Sequence, residues 1–209
     1  MSMMLQFFQN AVRGLEEKVA APDGATARRL YALEMSRLGT RLYGGEHEVA
    51  WCGVVTPFDL LNAMDVTSCF VEFVGASLAG SGMVDSFLDE GEQYGLATDM
   101  CGYHRAVIGA AAKGLMPVPK MLIGTSCPCA GGQTTIENLA RTMSREMMML
   151  HVPQNETPEA VDYLTDQLRS MVSFVERLTG RELDPEKVEK AMELSNETST
   201  TLDEVYRLA

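Results

Sequence analysis

The sequence predicts an α/β fold: a mainly parallel, four-stranded sheet with flanking helices, preceded by an N-terminal helical segment. Two observations indicate the sheet. Four short apolar segments along the chain are suited to strands that are buried on both faces. Each is followed by a segment with helical signals, and alternation of strands and helices is typical of a parallel sheet. A third observation, helical periodicity alone over the first 45 residues, predicts the segment that precedes the sheet.

Two helices are predicted in the N-terminal segment, residues 1–45. Apolar residues recur at steps of three and four from Leu5 to Val19 and form one stripe of a first helix. The Pro-Asp-Gly sequence at 22–24 interrupts this pattern. A second helix is predicted over roughly Thr26 to Leu42.

The sheet is predicted in residues 46–155, and C-terminal helices in 156–209. The predicted strands are EVAWCGVVTP (48–57), SCFVEFVG (68–75), KMLIGTSC (120–127) and EMMMLHVP (146–153). The predicted helices are PFDLLNAM (57–64), SGMVDSFLDEGEQYG (81–95), MCGYHRAVIGAAAKG (100–114), CAGGQTTIENLARTM (129–143) and two that begin near Thr157 and Asp184. This order is typical of Rossmann or flavodoxin-like sheets, which place ligands at the carboxyl ends of their strands.

The charge of the chain excludes several classes of protein. Seventeen Lys and Arg against 29 Asp and Glu give a net charge of -12, which repels phosphate backbones and anionic lipid. We therefore expect no nucleic acid and no membrane as partners, since an apolar run of about 20 residues is also missing from the sequence. The start, MSMMLQFFQNAVRGLEEK, lacks a basic leader before an apolar core, so we expect a cytoplasmic protein.

Five cysteines fall into two groups by position. Cys52 and Cys69 lie inside predicted strands, where packing is the expected role. Cys127 and Cys129 follow the third strand in TSCPCAGG, where the amides and dipole of a helix start favour thiolate over thiol. Cys101 stands at another predicted helix start. A shared metal or redox role for Cys101 and Cys127 and a simple packing role both remain open at this point, because C-x-C alone is a weak signal.

Other motifs carry less information. GASLAGSG lacks the Lys-Ser/Thr of a P-loop and the spacing of a dinucleotide site, so we predict a flexible strand-to-helix loop. The G-x-S-x-G element of α/β-hydrolases does not occur. His47 and His151 are predicted to be structural. His104 is of interest because Cys101 and Arg105 are its neighbours in the sequence.

The order of these motifs resembles a known family. VVTPFDLLNAM is followed by DMCGYHRAVIG (99–109), PVPKMLIGTSC (117–127), a helix and MLHVPQ. This order is similar to that of the 2-hydroxyacyl-CoA dehydratase and benzoyl-CoA reductase family, in the N-terminal half of a subunit. The resemblance covers roughly Glu48 to Asn196.

The resemblance implies a cofactor, partners and site residues. Family subunits hold an iron–sulfur cluster, most often [4Fe–4S], on three cysteine thiolates, and an ATP-dependent activator protein supplies a low-potential electron. That electron passes to an acyl-CoA thioester, giving a ketyl radical that expels a hydroxyl group, or it reduces an aromatic ring. By position, Cys101 and Cys127 match the first two metal ligands. Arg105 matches the arginine that follows the first ligand, so it and His104 are the catalytic candidates.

Two departures from the family keep alternatives open. Family subunits carry a second α/β domain that supplies the third cysteine, so a second subunit or a missing C-terminal domain is expected as partner, and the chain alone is expected to be inactive. Cys129 is an extra cofactor-binding thiol that leaves room for a larger cluster, as in double-cubane proteins. The alternative is a non-catalytic α/β scaffold or accessory subunit, in which the cysteines pack and the acidic surface binds a basic partner.

Overall fold

A four-stranded parallel sheet forms the centre of the molecule. The computed structural model describes residues 2–208. The strands are β1 (Glu48–Cys52), β2 (Val66–Phe70), β3 (Met121–Thr125) and β4 (Met147–Leu150). All neighbours pair in parallel in the order β2-β1-β3-β4, which confirms the predicted α/β fold. The order matches the first four strands of the flavodoxin-like arrangement.

Helices precede the sheet, connect its strands and follow it. Within residues 2–208 they are α1 (Met3–Ala20), α2 (Ala27–Gly44), α3 (Phe58–Ala63), α4 (Val71–Gly80), α5 (Asp85–Gln93), α6 (Gly102–Ala112), α7 (Ala130–Met143), α8 (Pro158–Thr179) and α9 (Pro185–Leu208). The predicted caps hold for α8, where the Thr157 hydroxyl accepts a hydrogen bond from the Ala160 amide. In the described residues, none of these helices is both long and apolar enough to cross a membrane.

The core lies on both faces of the sheet, as expected for parallel strands. Side chains alternate along β1, so that Trp51 packs on one face with residues of α4, α6 and α7. Cys52 packs on the other face with residues of α3 and α8. The Trp51 indole N–H donates a hydrogen bond of 2.9 Å to the carbonyl oxygen of Pro117. This buried polar group is therefore satisfied.

The segment from 66 to 82 differs from the prediction. SCFVEFVG was expected to be a strand and GASLAGSG a loop, but β2 ends at Phe70 and α4 begins directly at Val71. The apolar run is therefore divided between a strand and a helix, because both elements bury apolar residues here. Gly75 belongs to α4, where a Cβ would lie 2.7 Å from the Tyr103 carbonyl oxygen, so glycine permits close packing on α6.

The terminal helices attach to this sheet through specific contacts. Helix α1 packs on α2, and the Phe8 ring stacks on Tyr43 with 5.6 Å between ring centroids. The Tyr43 hydroxyl donates to the Leu115 carbonyl oxygen at 2.7 Å, which links the N-terminal helices to the segment before β3. At the other end, Lys187 at the start of α9 forms an ion pair of 2.6 Å with Asp65. The predicted boundaries at residues 45 and 155, which separate the N-terminal segment, the sheet and the C-terminal helices, stay a prediction.

The edge strand β4 is rich in methionine. Its residues Met147, Met148 and Met149 are half-buried. The thioether of Met149 lies over Gly124 of β3, where a Cβ would meet the Met149 methyl carbon at 2.6 Å and its sulfur at 2.9 Å. A glycine at this position therefore makes room for the thioether next to the end of β3.

Candidate functional site

A cavity of about 370 Å³ lies at the carboxyl edge of the sheet. Strands β1 and β3 are neighbours there, although β2 follows β1 in the chain, so this edge is the topological switch point where α/β sheets bind ligands. The lining comes from the ends of β2 and β3, the loops after β1 and β3, and the first turns of α4, α6 and α7. All three exposed cysteines, Cys101, Cys127 and Cys129, belong to this lining.

The loop after β3 presents two of these thiols. Strand β3 ends at Thr125 and α7 begins at Ala130, with Cys129 as its extended N-cap residue. The Thr125 hydroxyl shares its one proton between two acceptors, the carbonyl oxygen of Val54 in the loop after β1 and the Cys127 carbonyl oxygen at 2.8 Å. It thereby ties the two loops that meet in the cavity. The amides in the first turn of α7 have no acceptor within the helix, so they are available to a ligand in the cavity.

The loop after β1 has strained backbone. Val55 has a φ of 54°, a left-handed conformation that a β-branched residue rarely adopts. The Thr56 hydroxyl donates to the Gly53 carbonyl oxygen at 2.8 Å and holds this turn. Gly53 and Val54 line the cavity. Strained conformations of this kind concentrate at binding sites, because surrounding contacts must maintain them.

Cys101 is the N-cap residue of α6. Four residues along this helix, the Arg105 guanidinium donates to the Thr98 carbonyl oxygen at 2.6 Å and pairs with Glu92 of α5 at 3.0 Å. Arg105 is not among the lining residues, and its contacts fix the segment that leads into Cys101. The predicted catalytic role of Arg105 stays a prediction.

His104 does line the cavity, together with Glu72 of α4. The His104 Nε2 atom lies 3.8 Å from Glu72 Oε1, and the two side chains are 5% and 11% exposed. Burial lowers the pKa of His104 and raises the pKa of Glu72, so it favours the neutral form of both. Among the described residues, His104 Nδ1 and Glu72 Oε2 have no hydrogen-bond partner.

Two glycines at the start of α7 make room for this pair. A Cβ at Gly131 would lie 3.0 Å from the His104 ring, and one at Gly132 would lie 3.1 Å from Glu72 Oε1. The sequence-based prediction missed Glu72, because it assigned this segment to a strand. An acidic residue in the first turn after an apolar run was the signal that it left unused.

The remaining cysteines and histidines lie elsewhere. Cys52 and Cys69 are buried in the core, where burial raises the pKa of Cys69 to about 12 and the pKa of Cys52 further. These are the properties expected of thiols with a packing role. His47 and His151 are exposed, and the His151 backbone exchanges two hydrogen bonds of 2.7 Å with the Gln167 side chain.

Thiols are the main potential metal ligands of the cavity. Within residues 2–208, no three or more His, Cys, Asp or Glu side chains are grouped so that they could hold one ion. In an iron–sulfur cluster each thiolate binds a different iron, so the sulfurs need not converge on one point. Three exposed thiols around one cavity therefore fit such a group, for which thiolates are the preferred ligands.

The fold and the cavity define an α/β protein with a thiol-lined cavity at the switch point of its sheet. Residues 53–209 match the family model described as 2-hydroxyglutaryl-CoA dehydratase, D-component, and the chain belongs to this family. This confirms the family resemblance that the sequence motifs indicated.

Three curated relatives are each 25% identical to this chain. The alpha subunit of (R)-phenyllactyl-CoA dehydratase from Clostridium sporogenes matches over 73% of this chain and 40% of its own length. The alpha subunit of (R)-2-hydroxyisocaproyl-CoA dehydratase from Clostridioides difficile matches over 71% and 39%. Subunit alpha of lactoyl-CoA dehydratase from Anaerotignum propionicum matches over 77% and 43%. The chain thus spans about two fifths of the length of these relatives.

Proposed function

We propose that this chain is the cluster-binding part of a 2-hydroxyacyl-CoA dehydratase, with an iron–sulfur cluster held by Cys101, Cys127 and Cys129. The observation that carries the proposal is the position of these cysteines. They are the three exposed cysteines of the described chain, and all of them line the one cavity at the switch point. A [4Fe–4S] cluster is the first candidate, and the extra thiol of Cys129 also suits a larger cluster.

The chain contributes thiolates, a partly shielded cavity and hydrogen-bond donors. The backbone amides at the start of α7, from Ala130 to Gly132, have no partner within the helix and can donate to sulfur. Cys101, Cys127 and Cys129 would hold the cluster, which would lend a low-potential electron to the acyl-CoA thioester and take it back, since loss of water is redox-neutral overall. Phe70, Phe73 and Ala76 add apolar surface to one side of the same cavity, which limits the access of water.

His104 and Arg105 have different proposed roles. His104 lines the cavity, and burial lowers its pKa and so favours the neutral form, which can hydrogen-bond a ligand without adding charge. Arg105 acts as a positioning residue, because its bonds to Glu92 and Thr98 fix the segment that carries Cys101. Loss of Arg105 should therefore weaken cluster retention more than it changes the chemistry of a bound cluster.

Partners are part of the proposal. The relatives are named as alpha subunits, and this chain spans about two fifths of their length. We propose that a second subunit or a further domain completes the site. Because the sequence lacks a P-loop, an ATP-dependent activator is proposed to deliver the electron. The chain alone should neither hydrolyse ATP nor dehydrate an acyl-CoA.

The test is iron binding by matched cysteine variants. The chain should be purified without oxygen, reconstituted with iron and sulfide, and assayed for both elements and for the visible absorption of a cluster. Cys101→Ser and Cys127→Ser should lose the cluster. Cys52→Ala and Cys69→Ala should keep it, since alanine avoids burying a new hydroxyl in the core.

Two outcomes would contradict the proposal. A colourless protein with five titratable thiols after reconstitution would favour the non-catalytic scaffold. A cluster that survives both cavity substitutions would show that these thiols are not its ligands. Far-UV circular dichroism on every variant separates loss of the cluster from loss of the fold.

A further inference from the structure

The cavity has two chemically different sides. Strand β1 lies between β2 and β3, so the ends of β2 and β3 are about 10 Å apart. Cys127 and Cys129 follow β3 on one side, whereas Phe70, Phe73 and Ala76 come from the end of β2 and the first turns of α4 on the other. Two of the three thiols therefore come from the β3 side, and the third, Cys101, stands at the start of α6, which packs on α4. The apolar surface from β2 and α4 borders the same cavity.

Positive charge is missing from this lining. Among the described residues around the cavity, Glu72 has the one carboxyl group, and none is Lys or Arg. The guanidinium of Arg105 is held by Glu92 and the Thr98 carbonyl instead. A ligand carboxylate would thus be desolvated without a Lys or Arg side chain to pair with it, which is unfavourable. An apolar ligand group would meet the aromatic surfaces at no such cost.

We infer that the β2 side of the cavity receives a neutral, apolar acyl group and rejects acyl groups that end in a second carboxylate. This inference rests on the proposed function and names its substrate class. A volume of about 370 Å³ is near the lower limit of ligand pockets and is shared with the proposed cluster, so at most the acyl end enters and the rest of the CoA stays outside. Phe73 and Tyr103, which are 38% and 51% exposed, offer further apolar surface at the rim.

The direct test compares two acyl-CoA probes that lack a 2-hydroxyl group and cannot be dehydrated. Isocaproyl-CoA has an apolar end, whereas glutaryl-CoA ends in a carboxylate. Calorimetric titration of the full chain without oxygen, with and without the reconstituted cluster, should give at least tenfold tighter binding of isocaproyl-CoA. Equal affinities, a preference for glutaryl-CoA, or no binding of either probe would overturn the inference.

A charge placed on the apolar side should change this preference. Phe73→Arg supplies a cation at a partly exposed position, so the preference for isocaproyl-CoA should fall at least tenfold. Phe7→Arg, on an exposed phenylalanine of α1 outside the cavity, is the matched control and should keep the wild-type ratio. Tyr103→Arg makes the same test at a more exposed site, in case Phe73→Arg fails to fold. An unchanged ratio in the folded cavity variant would refute the assignment.

The two proposals fail in different ways. If the cluster assembles on the three thiols but both probes bind equally, the cluster site stands and the substrate class is wrong. If no cluster assembles while isocaproyl-CoA is still preferred, the acyl site stands and the proposed redox function is wrong.

Discussion

Replacing Gly75 by alanine should destabilise the protein although alanine is the better helix former. Gly75 lies in α4, and a Cβ there would be 2.7 Å from the carbonyl oxygen of Tyr103 and 3.1 Å from its Cα. Both atoms belong to the backbone of α6, so no side-chain rotation relieves the contact. Helix α6 must move away from α4, and Cys101 lies at the end of α6 that moves.

The expected magnitude follows from two opposing terms. Alanine in a helix interior gains about 1 kcal/mol over glycine. Overpacking costs about 1–3 kcal/mol, and a contact with backbone belongs at the upper end of this range. Gly75→Ala should therefore lower the free energy of unfolding by about 1–2 kcal/mol. Gly14→Ala is the matched control in α1, where no atom lies within 4 Å of the new Cβ, and it should raise that free energy by about 1 kcal/mol.

Urea unfolding followed by the fluorescence of the single, buried Trp51 measures both variants. The two substitutions are chemically identical, so their difference of about 2–3 kcal/mol isolates the contact between α4 and α6. Equal unfolding midpoints for Gly75→Ala and Gly14→Ala would refute the close approach of these helices.

The remaining predictions use the chain without its cluster. A thiol-specific reagent should modify the three exposed cysteines rapidly and the two buried ones only on unfolding, because burial raises the pKa of both buried thiols. Equal modification rates for all five thiols in the folded protein would contradict this prediction. Burial lowers the pKa of His104 below its usual 6.5, so the unfolded state binds more protons below that pH. Acidification through this range should therefore lower the stability of wild type more than that of His104→Gln, as measured by urea unfolding at several pH values. Arg105→Ala should lower the free energy of unfolding by about 1.5–3 kcal/mol in the same assay, because the bonds of Arg105 to Glu92 and to a backbone carbonyl are lost. A decrease below about 0.5 kcal/mol, the usual range of surface substitutions, would show that these bonds contribute little to stability.

The sequence predicted the strands that keep their apolar runs within one element. β1 and β3 were found because each run is short and is bounded by Gly or Pro signals. The sequence-based prediction was wrong between residues 66 and 80, because one apolar run there forms first a strand and then a helix. Periodicity cannot divide such a run, because the boundary depends on the packing of α4 on α6.

In the candidate site, residues whose place follows from the order of elements could be predicted, whereas contacts that depend on the packing of helices could not. The carboxyl ends of parallel strands meet at one edge, so the position of Cys127 and Cys129 after β3 could be used to place them there. Cys101 follows a helix, so it was singled out through its match to the family motif. The partner of Arg105 could not be predicted, because Glu92 reaches it only through the packing of α5 on α6. Glu72 was missed for a similar reason, since its proximity to His104 depends on where α4 begins.

The methionines of β4 make the protein sensitive to oxidation during storage in air. Oxidation turns a flexible apolar thioether into a polar sulfoxide. The sulfur of Met149 has little space over Gly124, and β3 ends at the very next residue, Thr125, whose hydroxyl bonds the Cys127 carbonyl oxygen. An added oxygen on that sulfur would press on the strand that supports the thiol loop. We therefore expect oxygen to damage the support of the site as well as its ligands, and iron and sulfide alone would not restore aged protein.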